Sequence, residues 1–169
     1  MKKFIAFLFV LSLLCTPAFA LVCEQSQAAN GSDACWTQVT VDPDETTLVS
    51  AGTVLVSKVA YGGTDTRGYA GDYLVRVATA STDGAFVMGV AQKRIKSGET
   101  ALVLVRGLGD IKVKTNTTIT SGDALWVSSS GDTVSASSST TIEPIAFALQ
   151  TSAASGNTFT TKKAYIKIV

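Results

Sequence analysis

A pattern that occurs twice is the feature of this sequence that most restricts its fold. Each copy contains a Gly-Asp pair, a short apolar strand, a second apolar segment lined by Gly or Ala, a further Gly turn and a closing strand. The first copy starts at Gly71-Asp72 and closes with residues 101–105, and the second starts at Gly122-Asp123 and closes with residues 165–169. Short apolar runs between turn residues, repeated along a chain, are typical of an all-β protein. We therefore predict a compact β-barrel or β-sandwich with internal duplication.

Alternation within the strands predicts which side chains face outward. Val75 and Val77 share one side of their strand, so Arg76 points the other way, to a solvated or interface surface. Residues 100–106 carry apolar side chains on both faces, which predicts burial on both sides. In a chain of this size, the second face must meet a neighbouring sheet or a neighbouring subunit. Trp126 lies inside an apolar strand, which favours a place in the core or in a subunit interface.

Residues 1–20 have the parts of a secretory signal peptide: Lys2 and Lys3, an apolar stretch, and a small-residue end at Ala20. The apolar stretch is too short for a membrane span, so we expect an exported chain that begins at Leu21 and has no stable membrane insertion. Removing Lys2 and Lys3 leaves 12 basic and 13 acidic side chains, a net charge of −1. This balance predicts that nucleic acid is not a partner.

Residues 21–45 differ in character from residues 46–169, and we expect an N-terminal arm followed by a barrel-like all-β domain. Cys23 and Cys35 are the cysteines that remain after cleavage, and in an exported chain they are expected to form a disulfide that loops the arm. Such a loop stabilises a fold by about 2–3 kcal/mol in the chain-entropy account. Trp36 and the alternation that follows it suggest that part of the arm adds a strand to a sheet edge.

The absence of histidine restricts the chemistry of the chain. Without it, the usual general base and the commonest zinc ligand are missing, so we predict no enzyme, no cofactor and no metal site. Asp42, Asp44 and Glu45 are the one dense acidic group, and a solvated connector is the favoured interpretation over a carboxylate hydrolase or a calcium site. Asp72 and Asp123 recur in the repeat, where we expect each carboxylate to cap backbone N–H groups of a turn.

An exported adhesin-like or carbohydrate-binding domain is an alternative function. Trp36, with Tyr61, Tyr69 and Tyr73, would line a groove in which aromatic faces stack on the apolar faces of a sugar. This alternative predicts glycan binding that is lost in Trp36→Ala.

Short turn-centred motifs are spread over residues 48–169. They are Ala70-Gly71-Asp72-Tyr73-Leu74, Met88-Gly89-Val90-Ala91, Ser97-Gly98-Glu99, Val103-Leu104-Val105-Arg106-Gly107, Ser121-Gly122-Asp123-Ala124-Leu125-Trp126-Val127 and Gly131. This series resembles the small β-barrel head decoration (cement) proteins of tailed phages and related virion structural proteins. The resemblance implies an all-β barrel, often trimeric, that sits on a capsid lattice and reinforces it without catalysis.

From the residues and the resemblance together we expect a non-enzymatic structural subunit. It would self-associate or decorate a larger assembly, either a virion capsid or an extracellular filament. The candidate interface residues are Trp36, Arg76 and Trp126. The expected partners are further copies of the chain or the lattice of a capsid or filament.

Overall fold

Ten β-strands form a single sheet in the part of the chain that the structure describes. This computed structural model describes residues 22–24, 34–58, 74–79, 85–114, 118–128, 134–135, 143–153 and 159–168. The predicted leader, residues 1–20, and the pair Gly71-Asp72 lie outside the described residues. Among the described residues, no helix has the length and apolar character needed to cross a membrane. The all-β prediction is confirmed.

The strands have two to four residues except for β2, β6 and β10, which are longer. They are β1 (Val22–Glu24), β2 (Ala34–Val41), β3 (Val54–Ser57), β4 (Leu74–Val77), β5 (Val87–Val90), β6 (Thr100–Lys114), β7 (Ala124–Val127), β8 (Val134–Ser135), β9 (Ala146–Ala148) and β10 (Phe159–Lys167).

The strand pairings form two closed cycles that share β6. In the first cycle, β2, β4, β3, β5 and β6 pair in that order, and β6 pairs again with β2. In the second cycle, β6, β10, β9, β7 and β8 pair in that order, and β8 pairs again with β6. The N-terminal part of β6 pairs with β2 and its C-terminal part pairs with β10. Each cycle contains one parallel pairing, β2 with β4 and β6 with β8.

The same turn opens both cycles. Gly52 precedes β3 and Gly122 precedes β7, and their φ angles are 85° and 97°. The left-handed region suits glycine because a Cβ atom would be strained there. The Gly52 amide donates to the Ala91 carbonyl at 2.7 Å, and the Gly122 amide donates to the Ala148 carbonyl at 2.7 Å. The two turns therefore correspond, and β3 follows the turn of the first cycle as β7 follows that of the second.

A side-chain cap at this turn shows where the sequence analysis misaligned the two copies. Asp123 Oδ2 accepts a hydrogen bond from the Thr120 amide at 2.8 Å, which confirms the predicted capping role of Asp123. In the first cycle, Thr53 Oγ1 accepts from the Ser50 amide at 3.2 Å. The counterpart of Asp123 is therefore Thr53 and not Asp72, so the predicted start of the first copy is wrong. The correspondence between the two turns is not evident from the sequence because the capping residue is threonine in one and aspartate in the other.

The buried apolar side chains of the described residues form two clusters. The first cluster is made of Val39, Val41, Val49, Leu55, Val75, Val77, Ala91, Ile95, Ala101 and Val103. The second cluster is made of Val54, Val56, Ala78, Val90, Leu104, Ile111, Val113, Ile119, Leu125, Val127, Val134, Ile145, Ala146, Ala148, Ala164 and Ile166. β3 contributes to both, since its alternating residues belong to different clusters. The two halves of the chain therefore bury apolar surface against each other.

The N-terminal part of β6 shows how far the expected two-sided burial is realised. Ala101 and Val103 belong to the first cluster, and Leu104 belongs to the second. The sequence predicted that a neighbouring sheet or subunit covers the second face of this segment. At Leu104 the cover is instead supplied by the other half of the same chain. Leu102, however, is 49% exposed, so the prediction of two-sided burial is wrong at this residue. The outer side of β6 faces solvent at Leu102.

The opening turn of the first cycle packs on the C-terminal part of β6. The Lys112 amide donates to the Gly52 carbonyl at 2.9 Å. A Cβ atom on Gly52 would lie 2.6 Å from Lys112 N and 2.8 Å from Ile111 C, whereas a Cβ atom on Gly122 would meet nothing within 4 Å. Glycine at position 52 is thus required by a close backbone approach as well as by its φ angle.

A second link between the halves comes from a single amide side chain. Gln92 follows β5, and its Nε2 donates to the Asp110 carbonyl at 3.0 Å. The Asp110 amide donates back to Gln92 Oε1 at 2.8 Å. This two-bond contact fixes the end of β5 against the middle of β6.

Part of the predicted N-terminal arm is a strand of the sheet. β2 pairs with β1, β4 and β6, and its residues Val39 and Val41 lie in the first cluster. β2 therefore supplies a wall of the first cycle. The boundary at residue 45 stays a prediction.

Candidate functional site

The predicted cysteine pair lies at the start of the sheet. Cys23 of β1 and Cys35 of β2 are register partners in an antiparallel pairing. Cα atoms of directly opposed residues are about 4.5–5.5 Å apart, within the range of about 4.4–6.8 Å that disulfides span. Cys35 is buried, with 6% of its surface exposed.

The three candidate interface residues lie on three different strands. Trp36 is in β2, where it is opposite Leu104 of β6, and its half-buried side chain packs against the second cluster. Arg76 is in β4 of the first cycle and Trp126 is in β7 of the second cycle. In the described part of the chain, the strand pairings therefore do not place Trp36, Arg76 and Trp126 beside one another. Their role in an interface stays a prediction.

Arg76 faces away from the first cluster, as the alternation predicted. Val75 and Val77 are buried, whereas Arg76 is half-buried. Its Nη1 donates to the Val77 carbonyl and to Thr79 Oγ1, each at 3.1 Å. The guanidinium thus bonds to the last residue of β4 and to Thr79 just beyond it.

Trp126 lies on the outward side of β7. Leu125 and Val127 are buried in the second cluster, while Trp126 is half-buried and shares its side of the strand with Ala124. Trp126 is therefore not one of the buried side chains of either cluster, and its place in an interface stays a prediction. Tyr61, which the sugar-binding alternative also requires, lies with Tyr69 and Tyr73 outside the described residues.

In the acidic group after β2, the Asp42 carboxylate makes contacts within the fold. Asp42 is 7% exposed, and its Oδ2 lies 2.5 Å from Lys58 Nζ. Its Oδ1 accepts a hydrogen bond from the Asp44 amide at 3.1 Å. The expectation of a solvated connector is therefore wrong for Asp42, because this carboxylate is buried beside a cation. Asp44 is exposed, as expected.

Glu45 connects the same segment to β4. Its Oε2 accepts from the Val77 amide at 2.8 Å, and its Oε1 accepts from the Thr47 amide at 2.8 Å. Both oxygens of the Glu45 carboxylate thus have backbone partners. Among the residues that the structure describes, no group of three or more His, Cys, Asp or Glu side chains could hold a metal ion.

An apolar surface that the sequence analysis missed lies across β6, β10 and β9. Leu108 is opposite Tyr165, and Tyr165 is opposite Phe147, so the three side chains stand in a row. Leu149 lies two residues beyond Phe147, and its amide donates to the Lys163 carbonyl at 3.0 Å. Leu108 and Leu149 are 50% and 44% exposed, and the other two are half-buried. We call Leu108, Phe147, Leu149 and Tyr165 the outer patch.

Charged side chains flank the outer patch on β6 and β10. Arg106 is opposite Lys167, and Asp110 is opposite Lys163. Asp110 Oδ1 lies 2.8 Å from Lys163 Nζ, and Arg106 Nε donates to Tyr165 Oη at 3.2 Å. We call Arg106, Asp110, Lys163 and Lys167 the rim. The rim has three cations and one carboxylate, so its formal charge is positive.

The alternation Lys163, Tyr165 and Lys167 was the one local signal for this surface. Ala164 and Ile166 between them are buried, so the alternation marks an outward side of β10. The association with Leu108 and Phe147 depends on the register between distant strands, which alternation alone does not give.

Comparison with known proteins identifies the family. The family model described as phage cement protein matches residues 34–163, from the start of β2 into β10. Among solved structures, the chain is similar to the head fiber gp8.5 N base in bacteriophage phi29, with 16% sequence identity and a TM-score of 0.47. That similarity covers 79% of this chain and 94% of the phi29 chain. No curated protein matches the sequence. Because the family model spans both cycles of the sheet, the chain belongs to the phage cement protein family.

Proposed function

We propose that this chain is a non-enzymatic structural subunit that decorates the protein shell of a phage particle. The observation that carries the proposal is the match to the phage cement protein model over residues 34–163. The architecture is compatible with a reinforcing role, since closed cycles of strand pairing leave few unpaired edges and resist deformation. The place of action is then the surface of the virion.

The test uses particles of the phage whose genome encodes the chain, prepared from a strain that lacks the gene. Purified protein is mixed with these particles, and the particles are sedimented. We expect saturable co-sedimentation and regularly spaced added density in electron micrographs. Particles from the unmodified phage are the control, because their sites are already occupied and they should take up little more protein. Absence of binding to the gene-deleted particles would contradict the proposal, and filaments formed by the protein alone would favour the extracellular alternative.

The proposal includes a barrel-like form for each cycle. It is supported by the closed order of pairings in each cycle and by the two distinct clusters of buried side chains. In this interpretation β6 is a strand of two small barrels, and the internal duplication is a duplication of the barrel.

Export and the disulfide are also part of the proposal. The leader composition of residues 1–20 supports export, and the register of Cys23 opposite Cys35 supports a bond between them. We expect the intact mass of the protein from particles to begin at Leu21, with both thiols unreactive until a reductant is added. A mass that includes residues 1–20, or rapid alkylation without reductant, would contradict this part.

Self-association is the remaining part of the proposal. The outward position of Trp126 on β7 supports a role for this side chain in a contact between copies. Light scattering after size-exclusion chromatography should give a multiple of the chain mass, and Trp126→Ser should lower it. A monomer at high concentration in the unsubstituted protein would count against self-association while leaving decoration of the particle intact.

A further inference from the structure

We propose that the outer patch and its rim form the surface through which the chain docks onto an acidic region of the shell that it decorates. This inference rests on the proposed function and specifies which face of the molecule meets the particle and what chemistry its partner presents.

The outer patch has the composition of the centre of an interface. Two aromatic and two leucine side chains stand together on the outward side of a sheet, and both leucines are more than 40% exposed. Interface centres are enriched in aromatic side chains and depleted of charged ones, whereas their rims are polar. The Tyr165 ring is restrained by the hydrogen bond from Arg106 Nε to its Oη at 3.2 Å. A side chain already held in place loses less conformational entropy on binding, which favours affinity.

The charge of the rim indicates the chemistry of the partner. Arg106, Lys163 and Lys167 outnumber Asp110, although the chain without its predicted leader has a net charge of −1. An acidic partner would complement the positive formal charge of the rim, whereas a second copy presenting the same surface would bring like charges together. We therefore assign the docking surface to an acidic protein partner and not to a symmetric contact between copies.

One arm of the test addresses the apolar centre. Leu108→Ser removes an exposed leucine from the outer patch, and Leu102→Ser is its matched control. Both residues lie on β6, and their exposed fractions are 50% and 49%. In the assay with gene-deleted particles, we expect Leu108→Ser to raise Kd about tenfold, which corresponds to the loss of a well-placed interface side chain. Leu102→Ser should bind like the unsubstituted protein.

The other arm addresses the charge. The double variant Lys163→Gln/Lys167→Gln removes two positive charges from the rim, and Lys93→Gln/Lys96→Gln removes two from exposed positions after β5. We expect the rim variant to bind about tenfold more weakly at low salt and to approach the unsubstituted protein near 1 M salt, since salt screens exposed charges. The control variant should retain the affinity and its dependence on salt.

The outcomes separate this inference from the proposed function. If the unsubstituted protein does not bind the particles, the proposed function fails and the docking surface fails with it. If it binds and the variants at the outer patch and the rim bind equally well, the docking surface alone is wrong. A reduced oligomer mass for Leu108→Ser with unchanged particle binding would assign the patch to a contact between copies and overturn the inference. Binding of a short DNA duplex that the rim variant loses, without an effect on particle binding, would also overturn it.

Discussion

The opening turns of the two cycles give a matched pair of substitutions, Gly52→Ala and Gly122→Ala. Both glycines have positive φ angles, 85° and 97°, so alanine at either position costs about 1–2 kcal/mol of backbone strain. At position 52 the new Cβ would also lie 2.6 Å from Lys112 N and 2.8 Å from Ile111 C. Overpacking of this kind costs about 1–3 kcal/mol.

The strained turn has little freedom to move away from β6. The Lys112 amide donates to the Gly52 carbonyl at 2.9 Å, and separating the two segments would sacrifice that hydrogen bond, worth about 1 kcal/mol. We therefore expect Gly52→Ala to lower the free energy of unfolding by about 2–3 kcal/mol more than Gly122→Ala does. For a chain of this length, that difference corresponds to about 5–10 °C in Tm.

Urea denaturation of both purified variants, followed by tryptophan fluorescence, measures the difference. The comparison cancels the φ strain common to Gly52 and Gly122, so it reports the close approach at Gly52 alone. Equal losses of stability in the two variants would refute the reasoning, because they would mean that the first turn is not packed on the C-terminal part of β6.

Two further stability measurements use the same assay. Lys58→Met should lower the free energy of unfolding by about 1–3 kcal/mol, because it leaves the carboxylate of Asp42 buried without its cation. Its control Lys163→Met should cost less than about 1 kcal/mol, since the Lys163 side chain is 57% exposed, and a larger loss there would contradict the argument from burial. Gln92→Ala should cost about 1–3 kcal/mol by removing both bonds to the Asp110 backbone, whereas an unchanged midpoint would show that water replaces the amide.

Local alternation predicted the strands and their buried sides well. Val75 and Val77 are buried and Arg76 is not, because successive side chains of a strand point to opposite faces. The capping role of Asp123 was also readable, since a short carboxylate beside a glycine turn reaches a backbone amide of the same turn. These features depend on residues within a few positions of one another, where the chain geometry is fixed by sequence.

Features that depend on distant parts of the chain were not readable. The Glu45 side chain contacts the Val77 amide, and β2 pairs in parallel with β4. Both contacts join segments that are distant in sequence, and the alternation within one strand does not indicate its neighbours. The outer patch has the same origin, because Leu108 and Tyr165 become neighbours only through the register of β6 with β10. Leu102 was expected to be buried because hydrophobicity alone does not indicate whether another layer covers an outward position.

The sharing of β6 between the two cycles has a mechanical consequence. One continuous strand of 15 residues runs from the wall of the first cycle into the wall of the second. Force applied to either half is therefore transmitted along the covalent backbone of β6, which has no loop residues between its two parts. A load applied to one half would therefore reach the other half directly through β6.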